Sequence, residues 1–421
     1  MLPKEISEKL FGYITHIGAP GSAPTLHQYN TFLEQVLKGT CTEKAQVLFS
    51  LCRSGMEVAA PDIFKVIKQL IKIYGGIVSS YPHFQHVNFS QHGEDRNESF
   101  SLFCLRDLFF TGKSTDRIET RVPEDFVCSL EDIEKWMYKA PLFNNVFDTV
   151  FSKAFPIEQE RQLMETLYNI SPIPEIPAVK LGPIPSILDA KSLLYLNSNL
   201  PSSLQSEWRL LFSNSFHGDS FSQLVSQISH KGPSLMIIRE KGGHVFGGFA
   251  SHSWECKPKY YGEPTCFLFS LAPHYGVYTA TMYNQNFMYL NLGQETLPNG
   301  LGMGGQFEYC GFWIDDSYNT GHSKAKPKNT TYGSPQLSSS EEFEVEAIEV
   351  WAVGREPKSD SDEEAELEKP KRSILDRDPE SKAMLELIGR HQASEGIRER
   401  DLKDEETEEM RKKMNTIPKL L

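Results

Sequence analysis

The chain has 421 residues, a formal net charge of −13 and 39% hydrophobic residues. This length is typical of two folded domains with tails, and the composition allows hydrophobic cores without a run of about 18 apolar residues that would span a membrane. The acidic balance argues against nucleic acid as a partner. Because residues 1–5 show no basic-then-apolar signal sequence, we expect a cytoplasmic protein.

The cysteines and histidines show no metal-binding spacing. Seven cysteines are present without a Cys-x-x-Cys pair, and several lie within apolar stretches. This pattern is typical of reduced thiols in protein cores rather than of a disulfide framework or a zinc site. We therefore expect no metal ion and no cofactor.

Residues 1–170 are predicted to form a helical region, because apolar residues recur every three or four positions. Thr25 precedes one helix and Gly39 follows it, while Pro61 and Ser129 stand at the starts of two more. The predicted apolar face of the first helix comprises Leu26, Tyr29, Leu33, Val36 and Leu37. The stretch 143–155 is apolar nearly all round, which is typical of a buried helix.

The helical region resembles paired calcium-binding hands in its helix–loop–helix pattern. We expect the loops between paired helices at Gly18–Pro24 and Arg53–Ala60. A calcium loop needs carboxylates at alternate positions, and neither segment offers them. The prediction is an EF-hand-like region without calcium ligands.

Prolines crowd residues 171–185. Since proline fixes φ and removes a backbone donor, we interpret this segment as an extended linker between two domains. We expect the second domain, residues 184–354, to fold on its own.

Residues 184–354 begin with helical patterns and continue with strands. The predicted helices are Ser186–Leu196, Leu204–Phe212 and Phe221–Ile228, the last of them capped by Ser220. Lys241-Gly242-Gly243 predicts a hairpin turn between the strands Ser234–Ile238 and His244–Phe246. Further predicted strands are Cys266–Leu271, Phe287–Asn291 and Phe307–Ile314.

The last predicted strand is Phe343–Val353. Its apolar alternation slips by one residue between Ala347 and Ile348, which indicates a β-bulge. Glycine-punctuated strands in this number are typical of a β-sandwich with a few helices against it, so the predicted fold class is α+β.

Residues 355–421 are charged and poor in apolar side chains, which predicts disorder. One helix is predicted near 378–389, where Met384, Leu387 and Ile388 form an apolar stripe. A helix of this length is marginal alone in water, so the three side chains are candidates for binding a partner.

Two segments partly match enzyme motifs. Gly300, Gly302 and Gly305 fit the dinucleotide-binding spacing, but a strand-like segment follows where a helix is needed, so we predict a close-packing glycine loop. Ser251 and His252 are neighbours that we expect on opposite faces of a strand, where they could not form a nucleophile–base pair. No catalytic residue is predicted.

The order of the aromatic and glycine landmarks in residues 184–354 resembles the TLDc domain. These landmarks are Trp208, His217, Gly218, Gly248, Ser251, Gly300, Gly302, Gly305 and Trp351. The resemblance implies an intracellular module linked to the vacuolar proton pump (V-ATPase) and to oxidation resistance. The module is not a known catalyst, so we expect docking rather than chemistry.

Residues 321–327 and 373–376 extend the resemblance to family members that act at lysosomes in mTOR signalling. It implies a non-enzymatic adaptor in the cytoplasm, recruited to the lysosomal surface, with V-ATPase subunits and mTOR pathway components as partners. Such members begin with Met-Gly, a myristoylation signal. Here Leu2 follows Met1, so we expect the membrane association to be indirect.

An alternative function is protection from oxidants through a reactive thiol. A reactive cysteine is accessible and has a lowered pKa. Cys256 comes nearest to this description, because Lys257 and Lys259 are its neighbours.

Overall fold

The computed structural model describes residues 2–17, 23–53, 57–89, 94–110, 121–156, 173–178 and 182–355. The predicted tail helix near 378–389, with Met384, Leu387 and Ile388, lies outside the described residues.

Three helices of the first part begin after a residue whose side chain caps them. Thr25, Thr40 and Ser129 each form a capping box, in which the side chain and the backbone of the cap bond the third helical residue. The helices are α1 (Lys4–His16), α2 (Leu26–Leu37), α3 (Cys41–Cys52), α4 (Ala60–Ser79), α5 (Glu94–Phe109), α6 (Leu130–Lys139) and α7 (Pro141–Ala154).

The predicted apolar face of α2 is partly wrong: Val36 is buried as predicted and Leu33 and Leu37 pack against the core, but Leu26 and Tyr29 are exposed. Leu26 is 75% exposed, whereas Phe32 and Val36 are fully buried. The buried side is centred on Phe32, whose ring meets the Phe155 ring edge-on with centroids 5.2 Å apart. Gln28 also lies on the buried side, where its amide nitrogen donates to the Ile17 carbonyl at 2.8 Å. The buried face of α2 therefore includes a polar residue.

Two short strands connect the segments that precede α4 and α6. Strand β1 (Val58–Ala59) leads into α4, β3 (Val127–Cys128) precedes α6, and the two pair antiparallel. The end of the predicted loop Arg53–Ala60 therefore pairs with the segment before α6. Among the described residues no group of three or more His, Cys, Asp or Glu is placed to hold a metal ion.

The second part starts with a short strand, and the helix predicted at Ser186–Leu196 follows it at Ala190–Asn199. Asp189 caps α8 by accepting from the Ser192 amide at 2.8 Å, so the helix begins four residues later than expected. The elements up to the main sheet are β2 (Val87–Phe89), β4 (Ile184–Ser186), α8 (Ala190–Asn199), a 3-10 turn (Ser202–Leu204), β5 (Trp208–Ser213), α9 (Asn214–His217) and α10 (Phe221–Ile228).

The predicted helix Leu204–Phe212 is also wrong, because its second half is strand β5. Trp208 and Phe212 are both buried at a spacing that fits one face of a helix, but they lie in different hydrophobic clusters, Trp208 in the core shared with the helices and Phe212 in the core between the two sheets. The segment is a strand because it pairs with the last strand of the domain, where Val353 lies opposite Trp208.

Strands dominate the rest of the domain. They are β6 (Ser234–Glu240), β7 (Val245–Ala250), β8 (Lys257–Tyr261), β9 (Phe267–Ala272), β10 (Gly276–Thr279), β11 (Met288–Asn291), β12 (Gly300–Met303), β13 (Phe312–Asp315), β14 (Thr320–His322) and β15 (Glu342–Val353). The β6–β7 hairpin is confirmed. The predicted strand Phe307–Ile314 is shorter, because residues 307–311 form the turn that enters β13.

The long strand β15 joins two sheets. It pairs with β6 along one edge, while β5 and β14 share its other edge at opposite ends. The order is β10-β9-β7-β6-β15-β14-β13-β12-β11-β8. Val345 lies opposite Glu240 and Ala347 opposite Arg239, so Glu346 is the additional residue of a β-bulge, close to the predicted slip.

The two sheets pack face to face and the helices cover one of them. Met236 and Leu268 from the first sheet share a buried cluster with Leu301 and Phe312 from the second. The opposite face of the first sheet packs on the helical region. The fold is therefore α+β, a helical region followed by a sandwich with helices, as predicted.

The helical region and the sandwich share one hydrophobic core. Leu235, Ile237 and Trp351 from the first sheet belong to the same buried cluster as Leu70 and Phe147 from the helices. Strand β2 of the helical region also pairs in parallel with β4. The described part of the proline segment is hydrogen-bonded to the second domain. The Glu175 amide donates to the Ser206 carbonyl, and the Glu175 carbonyl accepts from the Trp208 amide.

A buried carboxylate joins β15 to the segment after β4. Glu349 accepts hydrogen bonds from the Ile187 amide at 2.6 Å, the Ser186 hydroxyl at 2.9 Å and the Trp351 indole at 3.1 Å. Burial raises the pKa of this carboxyl to about 7, although the three donors and Arg239 oppose the shift.

This carboxyl should make stability depend on pH near neutrality. A pKa raised in the folded state from 4.5 to about 7 contributes stability that is complete below pH 4.5 and lost as pH rises through 7. The loss amounts to about 3 kcal/mol at about 1.4 kcal/mol per pKa unit. Urea unfolding between pH 5 and 8 should show this slope in the wild type and lose it in Glu349→Gln; equal slopes would contradict the raised pKa.

Candidate docking surface

Most of the TLDc-like landmarks lie inside the protein. Trp208 and Trp351 are fully buried, with ring centroids 6.4 Å apart, and the Trp208 indole donates to Asn197 at 2.9 Å. A β-carbon on Gly248 would meet the Met303 side chain. These residues build the core and offer no surface to a partner.

The glycine motif allows an aromatic ring to lie on strand β12. A β-carbon on Gly302 would lie 2.6 Å from the Trp313 ring, and Gly300 has a φ of 151° beneath the same ring. The motif runs through β12 and is followed by β13, without the helix N-terminus that a dinucleotide pyrophosphate needs.

His217 and Gly218 end the short helix α9. The His217 imidazole stacks on the Phe212 ring with centroids 5.4 Å apart, and its Nδ1 accepts from the Ser213 amide at 3.2 Å. Gly218 has a φ of 76°, which ends the helix in a conformation that favours glycine. Both residues shape a turn.

Three large apolar side chains are exposed on two neighbouring loops. Met282 is 68% exposed and Tyr283 is 81% exposed on the loop before β11, and Tyr309 is 60% exposed on the loop before β13. We call these three side chains the loop platform. Exposed apolar patches mark sites that bind another protein, so the loop platform is a candidate docking surface.

Buried hydrogen bonds hold the two platform loops together. The Thr331 hydroxyl, fully buried, accepts from the Gly305 amide and donates to the Asn284 side chain, both at 2.7 Å. The Asn286 side chain also donates to the Gly305 carbonyl at 2.7 Å. The Asn329 side chain in turn accepts from the Thr331 amide at 3.0 Å.

Backbone strain accompanies the platform. Met282 has a φ of 65° and Glu308 a φ of 69°, values that are uncommon outside glycine. Such conformations persist only where the surrounding structure imposes them, and they concentrate at functional sites. The buried bonds to Gly305 and Thr331 supply that constraint.

Sequence comparison places the chain in a family. The pattern that defines the TLDc domain matches residues 184–354. The MTOR-associated protein MEAK7 of Gallus gallus is 39% identical over 409 residues, which are 94% of this chain and 85% of that protein. This chain belongs to the MEAK7 family of TLDc-domain proteins. The protein of the same name from Homo sapiens is 38% identical over 410 residues, 94% of this chain and 86% of that protein.

The similarity to a more distant TLDc protein is shorter. Nuclear receptor coactivator 7 of Homo sapiens is 30% identical over 174 residues, 41% of this chain and 18% of that protein. The match to MEAK7 proteins, by contrast, covers most of the chain. The family prediction is therefore confirmed over the helical region as well as over the TLDc domain.

Gly305 is the last glycine of the Gly300–Gly305 motif, and its backbone bonds Thr331 and Asn286 beneath the loop platform. Gly305→Ala should therefore destabilise the protein at this point. A β-carbon would overlap the Tyr309 carbonyl oxygen, in addition to the strain of a φ of 80°. We expect a loss of about 3 kcal/mol in the free energy of unfolding, from left-handed strain and overpacking together. Gly293→Ala is the matched control, because Gly293 has a φ of 77° and open space around it, so about 1 kcal/mol is expected. Equal losses in urea melts would contradict the overlap.

Ser251 and His252 form the contact that the sequence interpretation excluded. The Ser251 hydroxyl lies 2.9 Å from His252 Nδ1, and His252 Nε2 lies 3.5 Å from a Glu263 carboxylate oxygen. The prediction was wrong because β7 ends at Ala250. The two residues lie in a bend, where the alternation of strand faces no longer applies.

This Ser–His–Glu contact stabilises a turn. The Glu263 amide donates to the Ser251 hydroxyl at 3.2 Å, and the Cys266 thiol donates to it at 3.1 Å. In an acyl-transfer site the backbone donors point instead at the substrate oxygen beside the nucleophile. His252 is also exposed to water. We assign no catalytic role to these residues.

Cys256, Cys128 and Cys310 do not show the electrostatics of reactive cysteines. Burial raises the pKa of the exposed Cys256, and the neighbouring Lys257 ammonium binds Glu255 at 2.5 Å. Burial also raises the pKa of Cys128 to about 11 and that of Cys310 to about 12. A thiolate is the reactive form, so these shifts do not favour the oxidant-scavenging alternative.

In the part of the chain that the structure describes, no helix is long and apolar enough to cross a membrane.

Proposed function

We propose that this MEAK7-family protein is a non-enzymatic regulatory adaptor that docks on the V-ATPase through its TLDc domain. In this proposal it is recruited from the cytoplasm to the lysosomal surface, where it supports mTOR and nutrient signalling. The loop platform is the observation that carries the proposal. The name of the relatives, MTOR-associated protein MEAK7, supports the link to the mTOR pathway.

The platform has the properties of a binding hot spot. Tyrosine and methionine bury large areas on binding, and hot spots are rich in tyrosine. Immobilising loops on binding costs free energy, but the buried bonds of Thr331 to both platform loops already order them. Exposed apolar residues on the helical region, such as Leu26 and Tyr138, are carried by regular helices without such strain.

A second contact is proposed through the tail. Met384, Leu387 and Ile388 would bind the pump as an apolar helix stripe, on a tether made of the acidic residues 359–368. Two linked contacts raise the overall affinity because the second forms within the complex. These residues lie outside the described part of the chain.

Binding to purified V-ATPase tests the proposal. The double variant Met282→Ser with Tyr283→Ala should bind at least about tenfold more weakly at an unchanged melting temperature, because both side chains point into water in the free protein. Tyr138→Ala is the matched control, since Tyr138 is 63% exposed on α6, and it should bind like the wild type.

The remaining outcomes separate the two contacts. Weaker binding of Leu387→Asp with Ile388→Asp, at an unchanged melting temperature, would support the tail contact. If only the tail variant binds weakly, the platform is not the docking surface. If the wild-type chain does not bind the purified pump, the proposed function is wrong.

A further inference from the structure

A polar groove lies beside the first residues of strand β15, where this strand pairs with β14 and then with β6. Its volume is about 700 Å³. The end of β6, the hairpin turn 241–242, Asp315, strand β14, the segment 339–340 and residues 342–344 line it. Among the described residues that line this groove, none belongs to the loop platform, so the two are separate features of the TLDc domain.

Carboxylates dominate the charge of the groove. Among the described residues that line it, four charged side chains are carboxylates and one is an ammonium, namely Glu240, Asp315, Glu342 and Glu344 against Lys241. The Lys241 ammonium binds Glu344 at 2.5 Å, so its charge is already balanced by that carboxylate. A groove with an excess of one sign of charge concentrates ions of the opposite sign, so a ligand that complements it is cationic.

Two of the other three carboxylates have partners within the protein. The Asp315 carboxylate accepts from the Trp313 indole at 3.0 Å and from the Thr320 hydroxyl at 2.6 Å. Glu342 is exposed and has the Lys324 ammonium at 3.8 Å. These contacts account for both side chains without a ligand, and Glu240 is the carboxylate that remains.

Glu240 is buried, and one of its oxygens has no hydrogen-bond donor. Its side chain is 1% exposed. Oε1 accepts from the Ser339 amide at 2.7 Å and lies 4.0 Å from His244 Nδ1, which itself donates to the Leu337 carbonyl at 3.0 Å. Oε2 is also buried, and no donor among the described residues bonds it. Since buried polar atoms are nearly always hydrogen-bonded, this oxygen is an acceptor for a donor from outside the chain.

The Glu240 carboxylate lies directly beneath the surface of the groove. A β-carbon on Gly242 would lie 2.9 Å from Glu240 Oε1 and would overlap the Ser339 hydroxyl, and Gly242 and Ser339 are both exposed residues of the groove. The positive φ of the hairpin turn, 88°, belongs to Gly243 and not to Gly242. The missing side chain at Gly242 therefore keeps space open beside the carboxylate.

An organic cation fits this acceptor better than a metal ion does. Calcium takes six to eight oxygen ligands, and in the part of the chain that the structure describes no three His, Cys, Asp or Glu residues are grouped to hold a metal ion. A guanidinium or a primary ammonium group needs fewer acceptors, and its N–H groups make charge-assisted hydrogen bonds with a carboxylate. Burial, together with the Lys324 ammonium, lowers the pKa of His322 on the groove wall, so its imidazole is neutral at neutral pH and does not repel a cation.

We propose that this groove binds an organic cation, a guanidinium or a primary ammonium group, which donates a hydrogen bond to Glu240 Oε2. The positive charge of the ligand is attracted further by Asp315 and Glu342 on the walls. Free amines carry such a group, and so do the arginine and lysine side chains of a partner protein. The inference is independent of the V-ATPase proposal, which concerns the loop platform.

Titration of the ¹⁵N-labelled full chain with N-acetylarginine amide tests the site. The amide signals of Gly242 and Ser339 should shift, whereas N-acetylcitrulline amide, a neutral analogue of nearly the same shape, should leave them unchanged. Glu240→Gln should raise the Kd at least about tenfold, because it keeps the shape of the acceptor and removes its charge. Glu346→Gln is the matched control, since this carboxylate lies on the same strand, binds Arg239 at 3.1 Å and does not line the groove. It should bind like the wild type.

A second variant tests the space beside the carboxylate without changing any charge. Gly242→Ala places a methyl group against Glu240 and Ser339, so it should also raise the Kd at least about tenfold. Melting curves of each variant show whether it is folded. Because Gly242→Ala changes a turn rather than the buried carboxyl, it still tests the site if Glu240→Gln does not fold.

Two further probes identify the source of the cation. Spermidine represents free amines, and a short glycine–serine peptide with one central arginine represents a partner protein. Tighter binding of spermidine than of the peptide would make the ligand a free amine, and the reverse order would make it a side chain of a partner. Either order supports the site if Glu240→Gln weakens the tighter ligand.

Four results would overturn the proposal. The first is the absence of shifts with every probe at millimolar concentration, which would mean that water satisfies Glu240. The second is equal shifts with the arginine and citrulline compounds, and the third is an equal loss of affinity in Glu240→Gln and Glu346→Gln. The fourth is a shift of the same signals by calcium or magnesium chloride that Glu240→Gln abolishes, which would make the ligand a metal ion.

Discussion

Replacing Trp351 by alanine should lower the free energy of unfolding by about 3 to 5 kcal/mol, the range found for large aromatic side chains in cores. Trp351 is fully buried in the core that the helices and the first sheet share. Its indole donates to Glu349 at 3.1 Å, and its strand pairs on both edges, with Leu210 and Leu235 opposite Trp351. The substitution removes the ring and leaves a cavity that strands on both sides cannot close.

Urea unfolding followed by circular dichroism and by tryptophan fluorescence measures this loss. Because Trp351 contacts both regions of the core, helix and sheet signals should shift together in one transition. Tyr138→Ala is the control, since its exposed ring should leave stability within about 0.5 kcal/mol. Loss of the sheet transition alone would contradict the shared core.

Local signals in the sequence identified most elements of the fold. Capping residues Thr25 and Ser129 sit at real helix starts, and Lys241-Gly242-Gly243 turns a real hairpin. The bulge in β15 was also visible as a slip in alternation. Each of these features depends on residues that are close in sequence, so it can be predicted before the tertiary fold is known.

The errors have one physical cause, which is pairing with distant residues. Strand β5 was predicted as a helix because Trp208 and Phe212 have the spacing of one helix face, but pairing with β15, more than a hundred residues away, makes this segment a strand. On α2, Phe32 rather than Leu26 faces the core, because Phe155 packs there. Residue patterns cannot report contacts that only the tertiary fold creates.

The candidate docking surface was not predicted, for the same reason. The loop platform combines side chains at 282, 283 and 309, which are separate in sequence. The Thr331 hydroxyl links their two loops through Asn284 and Gly305. The one local signal was the polar cluster Asn329-Thr330-Thr331, since such residues bond backbone groups in turns. The sequence of this cluster does not show that Thr331 bonds the two loops that carry the loop platform.

The TLDc domain produced without the helical region, as residues 184–355, should not form a stable native fold. The proline segment led us to expect an independent domain, but the first sheet buries one face against the helices. Leu235, Ile237, Phe249 and Phe269 are fully buried in the shared cluster together with Trp351. Exposing side chains of this kind costs about 1.5 to 3 kcal/mol each, so five of them approach the total stability of a typical domain.

Size-exclusion chromatography, near-ultraviolet circular dichroism and binding of an apolar dye test this expectation. The fragment 184–355 should aggregate or show secondary structure without fixed aromatic signals, and it should bind the dye. The fragment 2–355 is the matched control, because it retains the α-helices that cover the sheet and should melt cooperatively. Co-expression of residues 2–183 with 184–355 should restore a folded complex, since β2 and β4 then pair again. A monomeric 184–355 fragment with a sharp melting transition would contradict this expectation. It would show that the sandwich is stable without the helices, so that the two regions are joined for function and not for stability.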